Sequence, residues 1–336
     1  MKIISIIWRA LFITILFSSV VQNTMAFDST AIVRQGMADL RLQKSWEKPL
    51  ALKGNWAFAW KKLLNPNEAK GFTTYTEFPK LWNDNIVDGI PLTVQGYATY
   101  GLTILLPPRH GSLALFLPDV YSSYKLFVNG NLLEANGKPD SIPRNYKPHW
   151  EPKIVVLPIN ADTLQLVFQV ANFSHSKGGP NLNIQIGDSE YLLLEKDRNI
   201  ASDFLLAGCL FMGGLFFFGL YRFGSKDKAT LYFSLFCMVY SYRMIGSSLY
   251  SLHAILPDLN WELTTRLEYI TLFGSIFLFI QYVRNLYPED FYKPLLTVLS
   301  FICLSLVALT LVTPATIFTQ TINPFLLLMF FCIGYI

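Results

Sequence analysis

The chain has 336 residues, 52% hydrophobic and only 15% charged, against roughly 25% charged in soluble domains, and a formal net charge of +4. So small a charge, with no block of Lys and Arg, leaves no nucleic-acid footprint and excludes nucleic acid as a partner. The average hides a division: eighteen of the 27 Lys and Arg and sixteen of the 23 Asp and Glu lie between Phe27 and Arg198, and the residues beyond Arg198 are mostly apolar. Met1–Ala26 reads as an export signal, with Lys2 and Arg9 leading the apolar run Ala10–Val21 and small residues closing at Thr24-Met25-Ala26. Cleavage after Ala26 and retention as an uncleaved anchor both deliver residue 27 onward across the membrane. The absence of a Cys just after the signal argues against a lipoprotein anchor.

Residues 27–188 read as a β domain. Between Ala51 and Ile186 the apolar pattern has period two rather than 3.6. Ala98, Tyr100, Leu102, Ile104 and Leu106 share one face, as do Leu164, Leu166, Phe168 and Val170, and again Leu182, Ile184 and Ile186. Trp56 and Phe58 fall at strand spacing and read as core. Asn129-Gly130 predicts a type I′ hairpin, because both turn positions then take positive φ. Short strands, turn residues and little helix imply a β-sandwich that needs no disulfide, since residues 1–200 contain no Cys. Ser189–Ser202 lacks Gly and Pro and predicts a short helix that runs straight into the apolar half, a stiff connector able to pass on a shift or rotation.

Residues 203–336 predict a membrane bundle, with runs at about 204–221, 229–249, 263–283 and 294–312 and a fifth, incomplete one at 324–336. From Pro294 to Ile336 there is no Asp, Glu, Lys, Arg or His, enough for two passes with the second cut short, so the chain reads as the front part of a larger protein. Loop charge sets the orientation. The first and third connectors hold Arg222, Lys226, Lys228, Arg284 and Lys293, whereas Tyr250–Glu262 and Thr313–Asn323 hold no Lys or Arg, which places the β domain outside. Arg243 and Glu268 fall at similar depth on adjacent runs and predict an intramembrane ion pair; the alternative is that Arg243 reaches the outer headgroups and Glu268 is solvated beside Arg266. Cys209, Cys237, Cys303 and Cys332 lie in apolar runs without metal-ligand spacing and read as packing residues. No metal or cofactor is expected.

The order of local motifs is informative. Gly54-Asn55-Trp56-Ala57-Phe58 opens the domain; Ala98-Thr99-Tyr100 begins a strand that ends in Leu106-Pro107. Leu113–Leu117, Tyr121-Ser122-Ser123-Tyr124 and Leu126-Phe127-Val128-Asn129-Gly130 come next, and Val170-Ala171-Asn172 precedes His175 and Gly178-Gly179. This order resembles the jelly-roll sugar-binding domain of β-galactosidase-type glycoside hydrolases. It is more closely similar to the exported domain of bacterial seven-transmembrane receptors with diverse intracellular signalling modules, and the Gly-rich first span and basic first inner loop fit those receptors too. The resemblance covers residues 50–336. It implies an all-β jelly-roll ligand sensor in the periplasm, a multi-pass bundle in the bacterial inner membrane, and a cytoplasmic output module (a kinase, cyclase or phosphatase) beyond these residues. The competing reading is a membrane-anchored surface carbohydrate-binding or adhesion module without output.

A small-molecule or carbohydrate ligand is the expected partner, with membrane lipid around the helices; a homodimer is left open. Sugar sites combine an aromatic platform with amides and charges that read hydroxyls. Three loops offer that mixture: Trp82 with Asp84; Arg144, Tyr146, His149 and Trp150; and Asn172, His175 and Lys177. Trp82 and Trp150 also fit a second role, capping the ends of the core. Tyr121 and Tyr124 read as packing or corner residues. No catalytic constellation stands out, and no enzymatic role is expected within these residues.

Overall fold

The computed structural model describes residues 30–108, 110–159, 161–224, 226–247 and 249–335, so the export signal read in Met1–Ala26 lies outside the described residues. The chain folds as two units that divide between Asn199 and Ile200.

The first unit is all-β. Its strands are β1 Thr30–Val33, β2 Met37–Asp39, β3 Leu50–Trp60, β4 Thr74–Phe78, β5 Ile86–Val87, β6 Ile90–Pro91 and β7 Gly96–Leu105. They continue with β8 Leu113–Leu117, β9 Ser123–Val128, β10 Asn131–Asn136, β11 Lys153–Val156, β12 Thr163–Asn172 and β13 Gln185–Asp188. Apart from the β5–β6 ribbon they form one 11-stranded sheet in the order β10-β9-β12-β7-β3-β13-β8-β11, with β1 and β4 also on β3 and β2 on β7. The long strand β3 makes this possible. Its first residues pair with β13 and β1, and its last residues pair with β4 and β7, so it belongs to both halves of the sheet. Strands that change partners in this way make the corners of sandwiches. At the change stands Gly54, with φ +137°, where a Cβ would collide with the Val33 carbonyl oxygen.

The period-two pattern lands as expected. Ala98, Tyr100, Leu102 and Ile104 of β7, Leu106 just past it, and Leu164, Leu166, Phe168 and Val170 of β12 are buried in one core with Leu115, Leu117 and Ile186 from the other half. Each such large apolar side chain contributes about 2 kcal/mol by leaving water. Trp56 and Phe58 are in that core, and Trp56 stacks on Phe78 at 4.1 Å between ring centroids. The Asn129-Gly130 turn has φ +49° and +88°, the hairpin conformation read from sequence. Two features differ from expectation. The strand near Ile186 starts only at Gln185, because Leu182 and Asn183 still belong to the chain leaving the Gly178-Gly179-Pro180 turn, where Gly179 bridges Tyr121. In addition, β1 and β2 add in parallel to β3 and β7, a pairing that alternation alone does not encode.

The second unit is helical. Helix α1 (Ser189–Phe223) begins in the first unit and continues without a break; α2 Lys228–Gly246, α3 Trp261–Leu286, α4 Lys293–Val312, α5 Ala315–Phe318 and α6 Ile322–Tyr335 come after it. Among the described residues, four stretches are long and apolar enough to cross a membrane: α1, α3, α4 and the continuous segment Ala315–Tyr335. Helix α2 coincides with the second predicted run but is not among them, since Tyr232, Ser234, Tyr240, Ser241, Tyr242 and Arg243 dilute it. Asp227 caps α2 by accepting from the Ala229 and Thr230 amides, and Asn260 caps α3 through the amides of Glu262 and Leu263. Helices α3 and α6 meet through Phe273 and Phe325, 4.5 Å apart. Cys237, Cys303 and Cys332 are buried and Cys209 is exposed, all as free thiols.

Candidate ligand-binding site

Strand register carries the three predicted loops to one end of the β unit. Asn172 at the end of β12 lies opposite Gly96 at the start of β7, and Ala171 lies opposite Ser123 at the start of β9. The end of β10 is level with them through the Asn136–Tyr124 pair. Loops that leave these ends therefore meet: the Trp82 loop before β7, the loop before β9, the long loop between β10 and β11, and the loop after β12.

Asn172, fully buried, is the hub. Its Nδ2 donates to the carbonyls of Val94 (3.0 Å), His175 (3.0 Å) and Lys177 (2.9 Å). Its Oδ1 accepts from the His175 amide at 3.1 Å and the Ser122 hydroxyl at 2.8 Å. The Ser122 hydroxyl also contacts the Tyr146 hydroxyl, while the Ser122 carbonyl accepts from the His149 amide at 2.9 Å. The Asn172 amide thus ties together three segments of sequence, and Ser122 adds the fourth.

The aromatic members pack on this frame. Trp82 is fully buried, donates from Nε1 to the Tyr100 hydroxyl at 2.8 Å, and lies edge-on to Trp60 at 4.9 Å. Gly178 and Gly179 lie directly against its ring, which leaves no room there for a Cβ. Trp150 is buried and donates to the Val120 carbonyl at 3.1 Å. The half-buried Tyr121 stacks on His175 at 4.5 Å and stands edge-on to Trp150 at 5.5 Å. Buried His175 accepts the Lys177 amide on Nδ1 at 3.0 Å, and burial lowers its pKa from 6.5 to about 3, so it is neutral with the proton on Nε2.

The expected site residues therefore divide by access. Asp84 and Arg144 are exposed and His149 and Lys177 half-buried, whereas Trp82, Tyr146, Trp150, Asn172 and His175 are buried. Other members of the frame are not among the expected ligand residues. Tyr121 and Ser122 hold the centre, and Asn83 clamps the last loop by donating to the Ser176 carbonyl at 3.0 Å and accepting the Gly178 amide at 3.1 Å. Asp119, half-buried in the loop before β9, has its carboxyl raised from 3.8 to about 6 by burial. Glu151 accepts Lys153 at 2.7 Å and lies 3.6 Å from His149. Burial works to raise its carboxyl, and the His149 and Lys153 hydrogen bonds overcome that and bring it down to about 2. Neither period nor motif singles out Glu151, and the Tyr121–Tyr124 motif does not disclose the role of Ser122, because these roles come from loops far apart in sequence. Among the described residues no group of His, Cys, Asp or Glu is arranged to hold a metal ion.

In the helical unit the Arg243 Nη1 donates to the Glu268 backbone carbonyl at 3.0 Å, a contact with the main chain rather than with the carboxylate of the expected ion pair. Arg266 pairs with Glu262 at 2.7 Å, donates to the Thr310 carbonyl and lies over the Phe318 ring. Asp203 of α1, which no sequence pattern distinguishes, accepts the Ser251 hydroxyl at 2.6 Å.

No curated protein matches the chain. Solved structures similar to it include a β-glucuronidase of Faecalibacterium prausnitzii, 20% identical over 37% of this chain and 21% of that one, with a TM-score of 0.29. A GH2 β-galacturonidase of Eisenbergiella tayi is 16% identical over 44% and 26%, at 0.31. A β-glucuronidase of Ruminococcus gnavus is 13% identical over 41% and 28%, at 0.31. The chain thus spans about a quarter of the length of these structures. Residues 200–336, which contain the membrane-capable helices after the long first one begins, match the family model described as 7TM diverse intracellular signalling, which bears out the resemblance to those receptors in the helical half.

Proposed function

We propose that the chain is the sensing and membrane-spanning part of a bacterial receptor. The β unit takes up a small ligand, a carbohydrate, at the loop cluster around Tyr121, Arg144, His149 and Lys177. The helices pass the change to a cytoplasmic output module. The observation that carries this reading is the match of residues 200–336 to a signalling family, joined to a β unit that runs into α1 without a linker. Connector charge supports a periplasmic β unit in the inner membrane: Arg222, Lys226, Lys228, Arg284 and Lys293 flank one set of turns, and no Lys or Arg lies from Ser247 to Asn260 or from Thr313 to Asn323. The chemistry of the loops supports the ligand class, since the half-buried Tyr121 ring in the same loop cluster as Arg144 and Lys177 suits a polyol with an apolar face. No catalytic step is assigned to these residues.

The test uses the full chain in lipid nanodiscs against neutral and acidic mono- and oligosaccharides, read by thermal unfolding. A ligand at a hundred times its Kd adds about 2.7 kcal/mol to stability, a rise of several degrees. Tyr121→Ala and Arg144→Ala are expected to abolish that rise. A panel without any shift, or shifts that survive both substitutions, would overturn the assignment. An Arg144→Cys variant labelled by a membrane-impermeant maleimide on intact spheroplasts checks the orientation; labelling only in inverted vesicles would reverse it.

A further inference from the structure

The eleven-stranded sheet ends at β10 on one side and β11 on the other. No ladder joins these ends. They are held by side chains: Asn136, the last residue of β10, donates from Nδ2 to the Glu151 carbonyl at 2.8 Å, just before β11. At the seam the Tyr124 hydroxyl and Asn136 Oδ1 are buried with only a loosely formed contact to each other.

The first turns of α1 hold the same place. Ser189 donates from its amide to the Ser112 carbonyl at 3.0 Å and from its hydroxyl to the Ser112 hydroxyl at 2.9 Å. Leu192 is buried. Two turns on, the Lys196 ammonium donates to the Pro152 carbonyl at 3.0 Å, within electrostatic reach of Glu151 and Glu134. Residues 137–152 thus form one loop pinned at its far end from two sides. Its middle carries Arg144, Tyr146, His149 and Trp150, and its end, Glu151-Pro152, is gripped by Asn136 from β10 and by Lys196 from α1.

We propose that Lys196 is the relay residue of this protein: its bond to the Pro152 carbonyl makes the helix that leads into the membrane report the position of the 137–152 loop. The inference rests on the reading of that loop as part of the ligand site. The physical case is one of relative stiffness. Helix α1 has no Gly or Pro between Ser189 and Ala207, so a displacement applied at Lys196 is carried along it rather than absorbed. The sheet on either side is laddered, whereas the seam depends on isolated side-chain bonds and is where the β unit yields first. A shift of Pro152 changes the partner of a charged group, and bonds to charged groups are the stronger class.

The experiment needs no ligand. Amide exchange is followed by mass spectrometry on the full chain in nanodiscs, reading residues 137–152 and 190–199 in the same run. Tyr146→Phe removes the hydroxyl contact to Ser122 and loosens the loop; Tyr146→Ala replaces it if loop protection does not change. The loosened loop is expected to speed exchange in 190–199 at least about threefold. Lys196→Met speeds that segment by itself and removes its response to the Tyr146 change, whereas Lys196→Arg, which can still donate to the carbonyl, keeps the response. A loosened loop with unchanged exchange in 190–199, or effects of Tyr146 and Lys196 that simply multiply, would overturn the proposal. Failure of the carbohydrate screen leaves this coupling measurement standing, so the two ideas fall separately.

Discussion

Replacing Asn172 by Ala tests the frame of the loop cluster most directly. The side chain is fully buried and touches five polar atoms, the carbonyls of Val94, His175 and Lys177, the His175 amide and the Ser122 hydroxyl. Two N–H groups serve three carbonyls, so one of those bonds is shared and the net loss is four bonds. At about 1 kcal/mol each the cost is roughly 4 kcal/mol, because the orphaned groups stay buried rather than returning to water. For a unit of the size of Phe27–Asn199 that corresponds to a fall of about 8–16 °C in the unfolding midpoint. Asn172→Asp is expected to be at least as damaging, since it keeps the shape but sets an anion against three carbonyls. Trp82 and Trp150 make intrinsic fluorescence a suitable readout of thermal unfolding in detergent. A fall of less than about 3 °C for Asn172→Ala would show that the loops do not hang on this amide.

The same structure sets four further outcomes. Glu151→Gln lowers stability at neutral pH and converges with the wild type near pH 2: the Glu151 carboxyl sits at about 2 rather than 4.5, so its contribution is present above 4.5 and lost as pH falls. Asp119→Asn does the opposite. With the folded carboxyl near 6 and the unfolded one at 3.8, the wild type loses stability as pH rises through that window, and the variant, measured by urea midpoints from pH 4 to 7, does not. Gly54→Ala is expected to cost more than about 3 kcal/mol and to release β1, because it combines a positive φ with a collision at the Val33 carbonyl; limited proteolysis near Thr30 reads it. Arg243→Met removes the guanidinium bond to the Glu268 carbonyl and is expected to lower the midpoint of the helical unit in detergent by several degrees, with partial recovery in Arg243→Lys.

Local rules carried much of the fold into view. The alternation in β7 and β12, the Asn129-Gly130 turn and the core positions of Trp56 and Phe58 each depend on residues within a few positions of one another, and each is found. The parallel docking of β1 and β2 was not legible, because a short strand's partner is chosen by distant edges rather than by its own pattern. Loop composition pointed to segments that do converge. It did not separate the buried Asn172 and His175 from the accessible Arg144 and Lys177, since an amide that knits loops together and one that reads a sugar have the same local spelling. Asp203 escaped notice for a related reason: one carboxylate near the start of an apolar run is ordinary until Ser251 is brought to it.

A sheet whose ends do not ladder to each other leaves two strand margins on which another chain could pair. Strand β10 is bent by a bulge between Leu132 and Glu134 and carries an anion in its outer half. Strand β11 is four residues long, comes directly after Pro152 and opens with Lys153. A neighbouring chain that tries to zip onto either margin finds a crooked, charged or abbreviated template, which protects the domain against fibrous association.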